Sequence, residues 1–365
     1  MTAHPDRHRL LAIDGGGVRG VVALETIAGI ERVLRQETGD PDLRLGDWFD
    51  YIAGTSTGAI IAAGLALGRS AEELLELYVT HSRAIFRSSR WSSRIRHRYD
   101  HAGLAALLKQ EFGETTTLGS ETLRCLLMIG LRNASTDSPW PVSSNPAAAF
   151  NDPGAADSNL QLPLWQLVRA STAAPTFFRS ERIVFGNGTA YTFSDGATTT
   201  LNNPALQLAL MATLPEYRLE WPRGPERLLL VSVGNGAFAT RALSQLDQPL
   251  WQQATAVPAA LINSVSVQQD LLCRVLGRTR HGAPIDAEIG DLHKPSIDDP
   301  MFSYVRYDAA VTDAELRRRG LSAEVARAGR LDAVDAIPVL RQLGRSIAAD
   351  VRAEHFAGFI GRHPA

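Results

Sequence analysis

The sequence predicts an α/β protein with three layers, in which helices cover both faces of a mostly parallel central sheet. Short apolar runs that end in glycine alternate with longer segments whose apolar residues recur at helical spacing. The runs at 9–13, 123–131 and 227–236 are typical of interior parallel strands, because a strand buried on both faces needs no polar alternation. Hydrophobic residues make up 45% of the 365 positions, which is enough for a large core.

The first unit of this pattern is a strand at 9–13, the glycine loop "DGGGVRG" at 14–20 and a helix at 21–36. The loop lacks the lysine and hydroxyl residues of a phosphate-binding P-loop, and its spacing differs from the dinucleotide-binding motif. A glycine loop at a helix N-terminus nevertheless presents unpaired backbone N–H groups along the helix dipole. The loop is therefore predicted to hold a small negative charge.

The second unit carries the motif "GTSTG", in which Gly54 and Gly58 flank Ser56. An apolar strand precedes this motif, and the following helix "AIIAAGLALG" is apolar on nearly every side, so it is predicted to be buried. Strand, G-x-S-x-G turn and helix together predict a nucleophile elbow, the sharp turn that lifts a serine above the edge of a sheet.

The two glycine motifs are more informative together than apart. Two βα turns of one parallel sheet open at the same carboxyl edge, where such folds bind their ligands. A reacting serine needs backbone donors close to the oxygen that becomes negative in a tetrahedral intermediate. The triple glycine is therefore predicted to supply an oxyanion hole for Ser56.

The base that would activate the serine is less well defined by the residues alone. None of the nine histidines lies in a strand-end motif, and the best carboxylate is Asp195 in "FSDGATTTLNNPA". Two alternatives stay open at this point. One is a Ser-Asp-His esterase of the α/β-hydrolase type, completed by His281 or His293. The other is a non-catalytic phosphate- or nucleotide-binding module that uses the 14–20 loop.

The ordered motifs "DGGGVRG", "GTSTG", "VRASTAAPTFF", "SDGA" with "NNPA", and "VSVGNG" resemble those of the patatin-like phospholipase family over residues 10–236. This resemblance implies a lipid acyl hydrolase with a catalytic dyad and no catalytic histidine. By position in these motifs, Ser56 would be the nucleophile and Asp195 its base. The oxyanion loop would be Gly15, Gly16 and Gly17, and the supporting residues Arg19, Gly54, Gly58 and Gly196.

The resemblance also implies a membrane phospholipid or another acyl lipid as the substrate. In the segment 84–101, aromatic residues lie among arginines, and Arg90, Trp91 and Arg94 are candidates for membrane or lid contacts. A solvated loop is the equal alternative for this segment. Some bacterial members of the family are effectors activated by signalling nucleotides, so a nucleotide-activated phospholipase is a further alternative. The long polar segment 132–160 has two interpretations, a cover over the mouth of the site with Trp140 as an apolar rim, or a mobile surface insertion.

Residues 1–240 are predicted to form the catalytic core, and 241–365 a mainly helical part packed on the same domain. A net charge of −2 gives no general attraction to nucleic acid, and none is expected as a partner. The two cysteines have no metal or redox spacing, and neither a metal nor a cofactor is expected. The polar N-terminus does not resemble a signal peptide, so the expected location is the cytoplasm, with peripheral contact at the inner face of the membrane.

Overall fold

The computed structural model describes residues 6–85, 101–175, 178–238 and 250–361. These residues form three layers, with helices on both faces of a nine-stranded and mostly parallel sheet, as the sequence predicts. None of the described helices is long and apolar enough to span a bilayer.

The strands and helices alternate along most of the chain. The strands are β1 His8–Ile13, β2 Tyr51–Thr55, β3 Leu126–Asn133, β4 Ser138–Ser143, β5 Glu181–Val184, β6 Ala190–Asp195, β7 Leu228–Val233, β8 Ala237–Phe238, β9 Arg278–His281, β10 Ser303–Tyr307 and β11 Ala310–Val311. The α-helices are α1 Gly20–Thr38, α2 Leu45–Trp48, α3 Thr57–Ala66, α4 Ala71–Ile85, α5 His101–Phe112, α6 Leu164–Ser171, α7 Ala205–Thr213, α8 Leu250–Leu276, α9 Asp313–Arg318 and α10 Ile337–Ala348.

The central sheet has the order β5-β6-β3-β2-β1-β7-β10-β9, and β4 also pairs with β3. Strands β9, β10, β7, β1, β2 and β3 run parallel to their neighbours, whereas β4, β5 and β6 add antiparallel pairs at one side. The predicted strands at 9–13, 123–131 and 227–236 correspond to β1, β3 and β7. The loops after β1 and β2 consequently open at one carboxyl edge.

The side chains of successive residues of β1 lie on opposite faces of the sheet. Leu11 and Ile13 are buried in the large core that α1, α3, α4 and α10 share with the sheet. Leu10 and Ala12 point to the other face, where they belong to the smaller core that contains residues of α7 and α8. All ten residues of α3 are buried, which agrees with its lack of a polar face.

Residues beyond 240 add both helices and sheet strands. Strand β10 pairs with β7 in parallel register, and β9 pairs with β10, so both belong to the central sheet. Helix α10 packs on α1, and both lie on the opposite face of the central sheet from α7. The domain boundary at residue 240 stays a prediction, and the carboxyl end of β10 lies at the same edge of the sheet as the glycine loop after β1.

Candidate active site

Ser56 lies on the turn between β2 and α3 with φ 56° and ψ −123°, a conformation that non-glycine residues rarely adopt. The turn is tight because the chain reverses against itself. A Cβ at Gly54 would collide with the carbonyl oxygen of Gly58, and a Cβ at Gly58 would collide with that of Ile13. Glycine at both positions is therefore a packing requirement of the turn, as the G-x-S-x-G motif predicts.

The hydroxyl of Ser56 donates a hydrogen bond to Asp195, with 2.6 Å between Oγ and Oδ2. Asp195 is the last residue of β6, and its other carboxylate oxygen accepts the backbone N–H of Ala197 at 2.8 Å. Both side chains are buried, since Ser56 is 8% and Asp195 2% exposed. The residue after Asp195 must be glycine, because a Cβ at Gly196 would collide with the carbonyl oxygen of Gly130. The structure thus brings together the serine and the carboxylate that the sequence analysis selected.

Burial dominates the electrostatics of this carboxylate. It raises the pKa of Asp195 from 3.8 to about 7, although the hydrogen bonds from Ser56 and Ala197 act in the opposite direction. A carboxylate with such a pKa holds a proton more readily than an ordinary aspartate does. Asp195 is therefore a stronger base than its residue type alone would suggest.

Ser171, at the end of α6, was not selected from the sequence and lies directly beneath the elbow. Its hydroxyl accepts the backbone N–H of Ser56 at 2.8 Å and donates to the carbonyl oxygen of Gly130 at 2.7 Å. The side chain is completely buried. Ser171 thus ties the strained serine to β3, the strand against which both β2 and β6 pair. No local pattern marks such a residue, because its partners are remote in sequence.

The three glycines after Asp14 differ in what their N–H groups contact. The N–H of Gly15 donates to the carbonyl oxygen of Asn202 at 2.9 Å. Within the residues that the structure describes, the N–H groups of Gly16 and Gly17 have no acceptor. Of the three N–H groups expected to form an oxyanion hole, that of Gly15 is therefore already bonded, while those of Gly16 and Gly17 are available to a ligand.

The backbone N–H and the side-chain Nε of Arg19 both donate to the carbonyl oxygen of Gly16, at 3.2 and 3.4 Å. In a trans peptide the carbonyl oxygen and the N–H of the next residue point in opposite directions. Arg19 thereby fixes the peptide plane that carries the N–H of Gly17. Its guanidinium also lies 5.2 Å from the ring centre of Phe238.

A cavity of about 810 Å³ contains the dyad and the glycine loop. Apolar side chains from α3, α5 and the loop after α6 line part of it, namely Ile60, Leu104, Pro175 and Phe178. Charged side chains from α8 and the strand ends also line it, namely Asp14, Asp270, Arg274, Arg306 and Asp308. This volume is within the range of ligand-binding pockets, and a lining of both kinds suits an amphipathic ligand.

The structure brings none of the histidines that it describes to the dyad. None of the described histidines lines the cavity. His281 stacks on His355 with 4.4 Å between ring centres, and His293 lies beside Asp291. The Ser-Asp-His alternative has no support from these positions.

The sequence predicts two features around the site, of which the structure describes only one. Arg90, Trp91 and Arg94 lie outside the described residues. Trp140 was expected at the rim of the site, and this was wrong. It belongs to β4 and stacks on Phe193 at 4.6 Å, because the polar segment after β3 forms a hairpin instead of a cover.

A buried serine on a strand-to-helix turn, bonded to a carboxylate beside unengaged backbone N–H groups, is typical of serine hydrolases. Residues 11–209, more than half of the chain, match the family model described as "Patatin-like phospholipase". The chain belongs to the patatin-like phospholipase family.

Curated relatives extend this similarity. A cGAMP-activated phospholipase of Escherichia coli is 30% identical over 254 residues, which cover 67% of each chain. Another cGAMP-activated phospholipase, from Vibrio cholerae, is 32% identical over 208 residues, or 54% of this chain and 55% of the relative. Probable inactive patatin-like protein 9 of Arabidopsis thaliana is 31% identical over 248 residues, or 62% and 60%. The matched segments thus span between about half and two thirds of these relatives.

Proposed function

We propose that this protein is a lipid acyl hydrolase of the phospholipase A type, which cleaves fatty-acyl esters through a Ser56–Asp195 dyad. The observation that carries the proposal is the 2.6 Å hydrogen bond from the Ser56 hydroxyl to the Asp195 carboxylate. Family membership alone does not decide activity, since one relative is described as probably inactive. In this chain both dyad positions are occupied by groups that can react.

The proposed reaction has two steps. Ser56 Oγ attacks the ester carbonyl while Asp195 Oδ2 takes the hydroxyl proton, and the leaving alcohol then receives this proton as the C–O bond breaks. Water repeats the sequence on the acyl-enzyme, so that Asp195 takes a proton from water and returns it to Ser56. During each step the N–H groups of Gly16 and Gly17 would donate to the oxyanion, since neither is engaged by another described residue.

The lining of the cavity supports a lipid substrate. The apolar side chains of Ile60, Leu104 and Phe178 would contact the acyl chain of such a substrate. Such a substrate resides in a membrane, and peripheral membrane contact, with no nucleic-acid partner, belongs to the same proposal. The relatives' descriptions also suggest activation by a cyclic dinucleotide. Comparing rates with and without added cGAMP tests this point separately.

Covalent labelling of Ser56 tests the catalytic proposal. We expect a fluorophosphonate probe to label the wild-type protein and to leave Ser56→Ala unlabelled, because only an activated serine reacts with the probe. Ser194→Ala is the matched control, since Ser194 is a buried neighbour of Asp195 whose hydroxyl has no partner within the described residues. A wild-type protein that resists labelling would support the alternative of a non-catalytic binding module.

Product analysis on phospholipid, galactolipid and acylglycerol vesicles then identifies the substrate. Free fatty acid should be released by the wild type and by Ser194→Ala, and not by Ser56→Ala. Hydrolysis that survives in Ser56→Ala would rule out this serine as the nucleophile.

A further inference from the structure

The three glycines that would hold the oxyanion have no side chains to fix their own backbone. Gly17 has φ +56°, and a Cβ at Gly16 would lie 2.7 Å from the Asn235 side chain, so glycine is required at both positions. An oxyanion hole is effective only when its donors are held in place before the reaction. The loop therefore depends on contacts from other parts of the chain.

The residue before the loop, Asp14, is held through its main chain and its side chain. Its N–H donates to the carbonyl oxygen of Val233 at 3.0 Å, and its carbonyl oxygen accepts Nδ2 of Asn235 at 2.8 Å. Its carboxylate receives two parallel hydrogen bonds from the guanidinium of Arg306, at 2.9 Å to Oδ1 and 2.7 Å to Oδ2. This two-pronged contact fixes orientation as well as distance.

The guanidinium of Arg306 is itself fixed by two further contacts. Nη1 donates to the hydroxyl of Ser232 at 2.7 Å, and Nη2 donates to Oδ2 of Asp308 at 2.7 Å. Arg306 is 4% exposed and pairs with Ser232 in the register between β10 and β7. Because β7 also pairs with β1, the arginine is mounted on the rigid part of the sheet.

Arg306 comes from the part of the chain beyond the family match, which ends at residue 209. The same part supplies Leu331, whose carbonyl oxygen accepts the N–H of Val18 at 2.8 Å. Residues from 303–331 therefore hold the glycine loop at both ends. None of the sequence motifs lies in this region.

A buried ion pair is a weak source of net stability, because desolvation offsets most of the attraction between the charges. Burial indeed raises the pKa of Asp14 to about 6 in spite of the opposing effect of Arg306. The pair lies two residues before Gly16, the first of the two proposed oxyanion donors, so its two parallel hydrogen bonds fix the start of the loop.

We infer that Arg306 is a positioning residue for ester hydrolysis, which holds Asp14 and thereby aligns the Gly16 and Gly17 N–H groups with the oxyanion. The inference rests on the proposed serine hydrolase function. Loss of Arg306 would misalign donors that act mainly in the transition state, so kcat would fall while KM changed little.

The experiment compares Arg306→Met and Arg306→Lys with the wild type on a soluble acyl ester. Arg319→Met is the matched control, because the Arg319 side chain is only 6% exposed and bonds to Glu315 and Asp350, but does not line the cavity. Removal of one oxyanion donor typically costs about 10²- to 10³-fold in rate. For a misaligned loop we expect kcat to fall about 10- to 100-fold, with KM within about threefold. Arg306→Lys should recover little of the lost kcat, because an ammonium group cannot form the two parallel hydrogen bonds to Asp14.

Chemical rescue keeps the inference testable if Arg306→Met does not fold. Arg306 lines the cavity, so a small cation can reach its position in Arg306→Ala. We expect millimolar guanidinium to raise kcat of this variant several-fold and to leave Arg319→Met unchanged. A folded Arg306→Lys with wild-type kcat, or a rescue that is absent in folded Arg306→Ala, would overturn the inference.

Fluorophosphonate labelling separates this inference from the proposed function. Slower labelling of Ser56 in Arg306→Lys than in Arg319→Met supports the positioning role. Equal labelling rates in these variants and the wild type overturn the role of Arg306 and leave the dyad standing. A wild-type protein that is not labelled overturns the proposed function itself.

Discussion

Ser56 and Asp195 are 139 positions apart in the sequence, and their side chains meet because their strands follow one another along a single edge of β3. Strand β4 pairs with β3 from residue 128 to 133, on the opposite edge from both β2 and β6. On the shared edge, Thr55 lies opposite Gly130, and Asp195 lies opposite Leu131. The carboxyl end of the parallel strand β2 therefore meets the carboxyl end of the antiparallel strand β6, which places the serine beside the carboxylate.

The raised pKa of Asp195 predicts how activity depends on pH. In the proposed reaction the carboxylate must be deprotonated to accept the serine proton, and its pKa is raised to about 7. We expect kcat/KM on a soluble ester to fall about tenfold for each unit of pH below this value and to level off above it. Rates measured from pH 5 to 9 check this. A profile that is flat between pH 5 and 8 would exclude Asp195 as the base.

The same pKa predicts an opposite trend for stability. Because the pKa is raised from 3.8 to about 7, the unfolded state loses its proton first as pH rises, and stability is lost across this window. Asp195→Asn does not lose stability in this way, because the amide does not ionise. We expect Asp195→Asn to be more stable than the wild type at pH 8, by up to about 4 kcal/mol, since one pKa unit corresponds to about 1.4 kcal/mol. Urea unfolding at pH 8 and pH 4 measures the difference, which should nearly vanish at pH 4. An equal difference at both values would contradict the linkage.

Ser171 is predicted to support the elbow without touching the substrate. Its hydroxyl bonds both to the N–H of Ser56 and to the carbonyl oxygen of Gly130. Ser171→Ala leaves these buried groups unpaired, at a typical cost of about 1–3 kcal/mol. We expect kcat to fall about tenfold on a soluble ester, with KM nearly unchanged. Ser194→Ala, which removes an unbonded hydroxyl, is the control, and a similar loss in both variants would argue against a specific role for Ser171.

The glycines of the elbow are predicted to be intolerant of a methyl group. In Gly58→Ala the new Cβ collides with the backbone of Ile13, so β1 and its glycine loop must move. We expect the variant to lose about 1–3 kcal/mol of stability and most of its esterase activity. Gly103→Ala is the control, because this helical glycine has nothing within 4 Å, and alanine there should add up to about 1 kcal/mol. Thermal unfolding and ester hydrolysis of both variants provide the comparison.

The parts of the site that the sequence predicts are those encoded by local turns. Ser56 with its flanking glycines, and the loop after β1, are recognisable because a strand-to-helix reversal demands glycine within a few residues. Asp195 has no such requirement, and its selection as the base depended on resemblance to a family. Nothing local distinguishes Arg306 from the other arginines of an arginine-rich chain, and its partner Asp14 is 292 positions away. Strands β9 and β10 were not anticipated, since each is only four or five residues long and their pairing is entirely non-local.

The apolar lining of the cavity predicts which residue limits the length of the acyl chain in the proposed substrate. Ile60 lies on α3 one turn after Ser56 and lines the cavity together with Leu104 and Phe178. A larger side chain at this position would occupy space that part of a long acyl chain needs. Excluding about four methylenes removes about 3 kcal/mol of apolar contact, since each contributes about 0.8 kcal/mol.

We therefore expect Ile60→Trp to lower kcat/KM for a palmitoyl ester about 100-fold and to leave a butyryl ester within about threefold of wild type. Val184→Trp is the control, because Val184 is exposed on β5 and does not line the cavity. Rates on a series of esters from four to sixteen carbons locate the chain length at which the variant departs from wild type. A uniform loss at every length would indicate damage to the elbow, and an unchanged preference would place the acyl chain elsewhere in the cavity.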